Sequence, residues 1–425
     1  MEQRKLLIEI DEKPSSFGKW FLLSLQHVFG MFSATILVPL LTGLDIGVAL
    51  VASGIGTLCY IAITKGKVPI YLGSSFAYIA AITFAVSQTG ETSAFTALMG
   101  VGLIYMIVGF ILNFTGSNWI NRLLPPVVIG PVIVVIGLSL AYVAVDSLGL
   151  GQSNDGNLLI GFVTFLAAAL FSLKAKGFFK IIPFILAIII GYTFSVIIGE
   201  VSIIDTFSGV SIINVPNFQF IGTYRLDLSM LALFLPLAFV TIAEHIGDHK
   251  VLGEITGKDF IKDPGLKRTL LGDGVATFLS ASIGGPANTS YGENTGIIAM
   301  NKVGSVYVIG LAAIIAIFLG FSGHVQAFIL SIPNGVIGGI TVILYGLIAA
   351  NGIKVLAKGN VDLSENRNLI IVSTILIIGI GGAVIHISDV ASLSGMSLAA
   401  ITGILLNKFL PYDTPAKKQQ SLNLE

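Results

Sequence analysis

The chain has 425 residues, 54% of them hydrophobic and 11% charged, with a mean hydropathy of +0.93. A soluble domain of this length needs far less apolar surface, so lipid is the expected solvent for most of it. The 23 basic residues equal the 23 acidic ones, which excludes a nucleic-acid footprint, and one cysteine, Cys59, excludes an intramolecular disulfide or a thiolate metal cluster.

The first 17 residues are polar and carry both signs of charge, and no A-x-A cleavage site follows, so no signal peptide is expected. Beyond them, a spanning helix requires about 20 mostly apolar residues. That ruler finds apolar segments at 18–41, 44–64, 69–87, 94–116, 125–146, 157–173 and 178–199, then at 228–247, 268–284, 286–301, 304–322, 324–350, 368–386 and 392–410. The expected fold is therefore an all-α polytopic membrane protein of fourteen segments. With the N-terminus in the cytoplasm, every Lys and Arg except Arg225 falls on the cytoplasmic side. One missed or invented span would reverse every later cluster, so this positive-inside pattern supports both the count and cytoplasmic N- and C-termini.

The two halves echo each other. Gln26-His27 in the first segment matches Glu244-His245 in the eighth, at an offset of 218 residues, and the stretch from Pro69 matches the one from Pro286 at 217. Val128-Ile129-Gly130 likewise matches Val336-Ile337-Gly338 at 208. Seven segments is an odd number, so the second copy enters from the opposite side, giving two inverted seven-segment repeats.

Segments three and ten, PIYLGSSFAYIAAI and PANTSYGENTGIIAM, each begin with Pro and gain helical character only in their second halves. Each predicts a short extended piece followed by a half-helix. Non-helical backbone at membrane depth needs internal partners, so the two extended pieces are expected to pair as antiparallel strands. Both half-helix N-termini would then point at one place and offer N–H groups to a ligand's oxygens. At the 217 offset Phe76 corresponds to Glu293, an aromatic face opposite a carboxylate.

Glu244 and His245 sit inside the run LALFLPLAFVTIAEHIG, which offers them no local partner. A carboxylate at that depth costs about 2.5–3.5 kcal/mol or more, and a cavity or ligand must compensate it. His245 follows Glu244 by about 100° around the helix, so the two cannot point along one axis. Gly247 predicts an interruption of this helix, leaving Asp248, His249 and Lys250 at its cytoplasmic end.

YLGSSFAYIAAI, TIAEHIGDHKVLGEITG and GGPANTSYGENTGIIAMNKVGS resemble the uracil-permease branch of the nucleobase-ascorbate transporter family, also called nucleobase:cation symporters, and the likeness runs over nearly the whole chain. Glu293-Asn294-Thr295-Gly296 resembles the start of the family signature, and Glu at its first position, after Tyr291-Gly292, is closer to the uracil branch than to the xanthine or urate branches. The signature's tail departs, with Asn301-Lys302 where the family usually has Thr.

The resemblance implies a core domain (18–116 and 228–322) and a gate domain (117–200 and 323–410). A 201–227 extracellular loop and cytoplasmic tails at 1–17 and 411–425 complete the division. It also implies that Glu244 and Glu293 receive the N–H groups of uracil, that backbone near Phe76 and Gly292 meets its carbonyls, and that Tyr291, His245 and Tyr345 act nearby. Glu244, His245 and Glu293 would couple transport to protons, with no cofactor and no bound metal. The expected setting is the bacterial cytoplasmic membrane, the expected assembly a homodimer through gate helices.

Other readings are a xanthine or other nucleobase permease and an anion exchanger of the same seven-plus-seven architecture. In the second, two pocket carboxylates would repel the substrate. A third is an intramembrane metallopeptidase using the i, i+4 pair His245 and His249, with Asp248 in place of the usual Glu.

Overall fold

The computed structural model describes residues 6–115, 125–151, 157–388 and 391–411. Arg4, Lys5, Arg122, Lys417, Lys418 and nearly all of the 411–425 tail lie outside the described residues.

The first half runs through α1 (Phe17–Thr42), α2 (Ile46–Ile63), β1 (Leu72–Ser74), a 3-10 turn (Phe76–Tyr78), α3 (Ile79–Thr89) and α4 (Glu91–Thr115). It continues through α5 (Pro126–Ser139), α6 (Ala141–Val145), α7 (Leu158–Lys174) and α8 (Pro183–Ile197). After a short α9 (Ile203–Phe207), the second half holds α10 (Leu228–Thr256), α11 (Leu266–Ser282), β2 (Asn288–Ser290), α12 (Gly292–Asn301) and α13 (Val306–Gly320). It ends with α14 (Gly323–Leu330), α15 (Asn334–Lys358), α16 (Asn366–Ile380), the strands β3 (Val384–Ser388) and β4 (Ala391–Ser394), and α17 (Gly395–Phe409).

Every predicted segment contains helix, and among the described residues six helical stretches, one of them running through α5 and α6 to Leu150, are long and apolar enough to cross a membrane by themselves. Their ends follow local chemistry. Asp45 and Asp227 accept first-turn N–H groups of α2 and α10, while Pro126 and Pro183 occupy first-turn positions where no N–H is needed. On α4, Leu103, Ile107, Phe110 and Phe114 are exposed at three- and four-residue spacing, a stripe suited to lipid.

Three boundaries differ from the sequence expectation. α10 runs unbroken past Gly247 to Thr256 and stops only at Gly257, whose φ of +72° is left-handed. The segment expected at 324–350 is two helices, because Pro333 lacks the N–H that would continue the first turn and instead caps α15. Segments thirteen and fourteen are shortened by an antiparallel hairpin in which Val384, Ile385 and His386 pair with Ser394, Leu393 and Ser392.

The helices pack in two groups. In one, α11 lies against α4 and α2, α13 against α2 and α1, and α10 against α4; in the other, α15 lies against α5 and α7, α7 against α8, and α16 against α17 and α5. The α11–α4 and α13–α2 contacts are equivalent under the repeat. At the first crossing a Cβ on Gly102 would fall 2.7 Å from the Gly274 carbonyl, and one on Gly274 equally close to the Gly102 carbonyl, so only glycine allows this approach. Between the groups, α10 meets α17, β4 and α5, and α1 meets α8.

The N-terminal residues are no free tail from Leu6 on. Leu7 N–H donates to Lys302 O, Gly304 N–H to Ile8 O and Val306 N–H to Ile10 O at 2.8–3.0 Å, stitching residues 7–10 alongside 302–306. Leu6 and Ile10 are buried among Tyr60, Ile70, Leu252, Phe260 and Ile298. Replacing both with Ala is expected to lower the thermal unfolding midpoint of purified protein by about 5 °C or more, since each lost side chain costs about 2–5 kcal/mol. A scanning-fluorimetry midpoint equal to wild type would show that this contact contributes nothing.

Candidate functional site

β1 and β2 cross antiparallel with Leu72 opposite Ser290, Gly73 opposite Thr289 and Ser74 opposite Asn288. Tyr291 N–H donates to Tyr71 O at 3.0 Å and Ser75 N–H to Ala287 O at 2.9 Å, extending the ladder at both ends. Each strand's outer edge is satisfied by a threonine of the neighbouring helix. Thr57 of α2 bonds both Leu72 N–H and O, and Thr277 of α11 bonds both Asn288 N–H and O. Most of the extended backbone at membrane depth is thus paired within the protein.

The register centres on Gly73 and Thr289, an offset of 216, one less than the spacing of the prolines suggests. Phe76 is therefore the counterpart of Gly292, and both begin a helix, with Glu293 one residue further on. Neither N-cap residue supplies a side-chain cap; the Glu293 carboxylate meets its own N–H, and other first-turn N–H groups at both starts are left for another acceptor.

Glu293 stands in the first turn of α12, half-buried, behind an exposed Gly292. Glu244 of α10 is accessible to water yet densely surrounded by protein, the mark of a cleft rather than of the outer surface. The two carboxylates lie within electrostatic reach of one another, so the structure brings together the acids expected from segments eight and ten. A side chain added at Gly247, Gly292 or Gly296 would meet no heavy atom within 4 Å. Phe76 is half-buried and packs against the apolar core beside the strand crossing.

Asp248 joins them unannounced by the sequence reading. It follows Glu244 by one turn on the same face of the unbroken α10, is half-buried, and is in electrostatic contact with both Glu244 and Glu293. The i, i+4 spacing was the available signal, hidden by the expectation that Gly247 ends the helix.

Two other expected site residues turn their polar atoms to protein partners, and a third, Tyr345, is buried. His245 points away from the cleft, fully buried, with its Nδ1–H donating to Asp273 at 2.6 Å. His249 gives its Nδ1–H to the His245 carbonyl and accepts the Tyr60 hydroxyl at Nε2, so the two histidines do not present a pair of nitrogens to one ion. Tyr291 is buried under β1, its hydroxyl donating to Ser74 O at 2.9 Å and accepting from Thr35 at 3.2 Å, so it clamps the crossing. Tyr345 on α15 is buried with its hydroxyl unpartnered.

Behind the cleft, Asn294 donates to both His27 O and His27 Nδ1, and Asn301 donates to Gln26, so this polar pair of the first segment bridges α1 to α12. A separate cavity of about 240 Å³ lies between loops carrying Asp45, Glu91, Gln219, Gly284 and Gln326 and includes none of the cleft acids.

The Permease family model (Xan_ur_permease) matches residues 18–388. The chain belongs to this family of permeases. Among its relatives are proteins named uracil permease from Bacillus caldolyticus, 45% identical over 96% of this chain and 95% of that protein, and from Bacillus subtilis strain 168, 42% identical over 99% and 98%. A uracil permease of Escherichia coli K12 is 42% identical over 91% of this chain and 90% of that protein. The permease is thus a bacterial multi-pass membrane transporter, not an enzyme.

Solved structures share the fold of this permease at low identity. The transmembrane domain of the cyanobacterial bicarbonate transporter BicA gives a TM-score of 0.59 at 15% identity over 93% of the permease and 99% of that chain. Murine Slc26a9, an anion transporter in its inward-facing state, gives 0.66 at 11% over 94% and 69%. These likenesses concern architecture alone.

Proposed function

We propose that this chain imports uracil across the bacterial cytoplasmic membrane by proton symport, with the N- and C-termini in the cytoplasm. The observation that carries this reading is the meeting of Glu244 and Glu293, from two segments of the second repeat, beside the uncapped half-helix starts that the two repeats contribute. Uracil is flat and neutral, with N–H donors alternating with C=O acceptors. Carboxylates match the donors, first-turn N–H groups near Phe76 and Gly292 match the acceptors, and the Phe76 ring supplies a face. The Tyr345 hydroxyl has an open valence for ligand or water. An analogue lacking one N–H would leave a desolvated carboxylate unpaired, which is how such a site selects.

In this reading the group built on α1–α4 and α10–α13 is the core that carries the acids, and the group built on α5–α8 and α14–α17 is the gate. The second boundary lies between 322 and 323, and Gln326 of α14 donates across it to Gly320 of α13. The core rocks against the gate to alternate access. Glu244 is the leading proton carrier, with Glu293 beside it, and a homodimer forms through gate helices. The anion-exchanger reading is disfavoured by three acids, Glu244, Asp248 and Glu293, in mutual electrostatic reach.

Reconstituted in liposomes, the protein is expected to accumulate labelled uracil when an inward proton gradient is imposed, with unlabelled uracil competing more strongly than xanthine, thymine or urate. Uptake that ignored the pH gradient and followed sodium would refute the coupling, and stronger competition by xanthine would refute the substrate.

A further inference from the structure

The side of α10 turned away from the cleft holds ionisable groups that the cleft does not use. His245 and Asp273 are both fully buried, from α10 and α11 respectively, and His245 Nδ1–H donates to Asp273 Oδ2 at 2.6 Å. One turn on, His249 Nδ1–H donates to the His245 carbonyl at 2.8 Å, which forces its Nε2 to accept the Tyr60 hydroxyl at 2.5 Å. Both nitrogens of His249 are therefore satisfied. His245 differs: its Nε2 has no hydrogen-bond partner, and neither has Asp273 Oδ1. Apolar side chains of similar volume would pack there without leaving two polar atoms unpaired, so packing alone does not account for the pair.

We propose that Asp273 and His245 form a proton-holding pair behind the binding cleft. Asp273 is the positioning residue: by accepting from Nδ1–H it fixes the tautomer of His245, so the pair gains or loses its proton at Nε2. With Asp273 ionised and Nε2 bare the pair carries one negative charge; with a proton on Nε2 it carries none. This deepens, and rests on, the proton-coupled uracil reading.

The ionisable groups facing the pair are Glu244, Asp248 and His249 on α10, Tyr60 on α2, Tyr78 in the 3-10 turn, and Tyr105 on α4, with Glu293 on α12 interacting with Glu244 and Asp248 in turn. Tyr105 meets the His245 ring edge-on, with centroids 6.4 Å apart. Glu244 and Asp248 both face the cleft and interact with Asp273, and Glu244 is the more open of the two. Like charges in a dry interior disfavour one another, so the proton on the pair and the proton on Glu244 are not set independently. A ligand that engages the Glu244 carboxylate thereby changes what the pair holds.

The test uses the full-length protein. In histidine-labelled wild type, nitrogen NMR is expected to show His245 keeping its proton on Nδ1 while Nε2 titrates between about pH 4 and 9, the signal being assigned by its loss in His245→Gln. Asp273→Asn is expected to bind uracil within about threefold of wild type at its best pH, yet to move the midpoint of the uptake pH profile by about one unit or more. Asp273→Glu should restore that midpoint, and adding His245→Gln to Asp273→Asn should shift it no further.

A uracil-binding Asp273→Asn protein with an unchanged midpoint would overturn the proposal, as would a wild-type His245 whose Nε2 does not titrate. The wild-type titration decides the matter even where Asp273→Asn does not fold. Failure of wild type to bind uracil would defeat the transport reading alone, because the histidine titration is read without substrate.

Discussion

Glu293→Gln is expected to weaken uracil binding by about 100-fold, and Glu244→Gln by a similar factor. A hydrogen bond to a charged group contributes about 1.5–3 kcal/mol, and an amide turned toward an N–H presents donor against donor in place of an acceptor. At about 1.4 kcal/mol per tenfold change, loss of the bond together with that clash reaches two orders of magnitude. The two carboxylates interact with each other, so the double variant should lose less than the product of the single effects. Calorimetry or labelled-uracil binding on detergent-purified protein measures all three. Wild-type affinity in Glu293→Gln would remove the carboxylate from the ligand site and with it the basis of the functional reading.

Gly73→Val should be the most damaging single change in the strand crossing. A Cβ at Gly73 falls 2.6 Å from the Tyr291 ring and 2.7 Å from the Thr35 hydroxyl. Neither neighbour yields easily: the Tyr291 hydroxyl is bonded to Ser74 O and to Thr35, and β1 is pinned to β2 and to Thr57. Overpacking in a tight core costs about 1–3 kcal/mol or more, and here any relief displaces the backbone that starts α12 and carries Glu293. The expected outcome is a lower thermal midpoint together with at least about tenfold weaker uracil binding. Gly247→Ala provides the contrast. Its Cβ meets nothing within 4 Å inside a helix, and replacing glycine by alanine there gains up to about 1 kcal/mol of helix preference. A Gly73→Val protein as stable as wild type would mean that the crossing is looser than its hydrogen bonds imply.

Much of the fold was legible because a membrane reads sequence in one dimension. Segment length, proline breaks at 69 and 286, and an intramembrane Glu each carry a cost that lipid imposes locally, wherever the rest of the chain lies. The pairing of two short strands was legible for the same reason, since unpaired backbone at that depth has so few other partners. The β3–β4 hairpin escaped notice because a run such as Val384–Ser388 satisfies an apolar-segment ruler as well as a helix does. The strap formed by residues 7–10 escaped because its partners at 302–306 are nearly 300 residues away in the chain.

The candidate site divides along the same line. The sequence by itself determined that Glu244 and Glu293 need compensation, because each is a charge in an apolar or broken segment and desolvation acts on a residue wherever it lies. Only the tertiary structure decided which neighbour supplies that compensation. His245 turns to Asp273, Tyr291 turns to Ser74, and Asp248 stays on the cleft face with Glu244, since helix phase and the packing of α10 against its neighbours fix directions that adjacency in the chain leaves open.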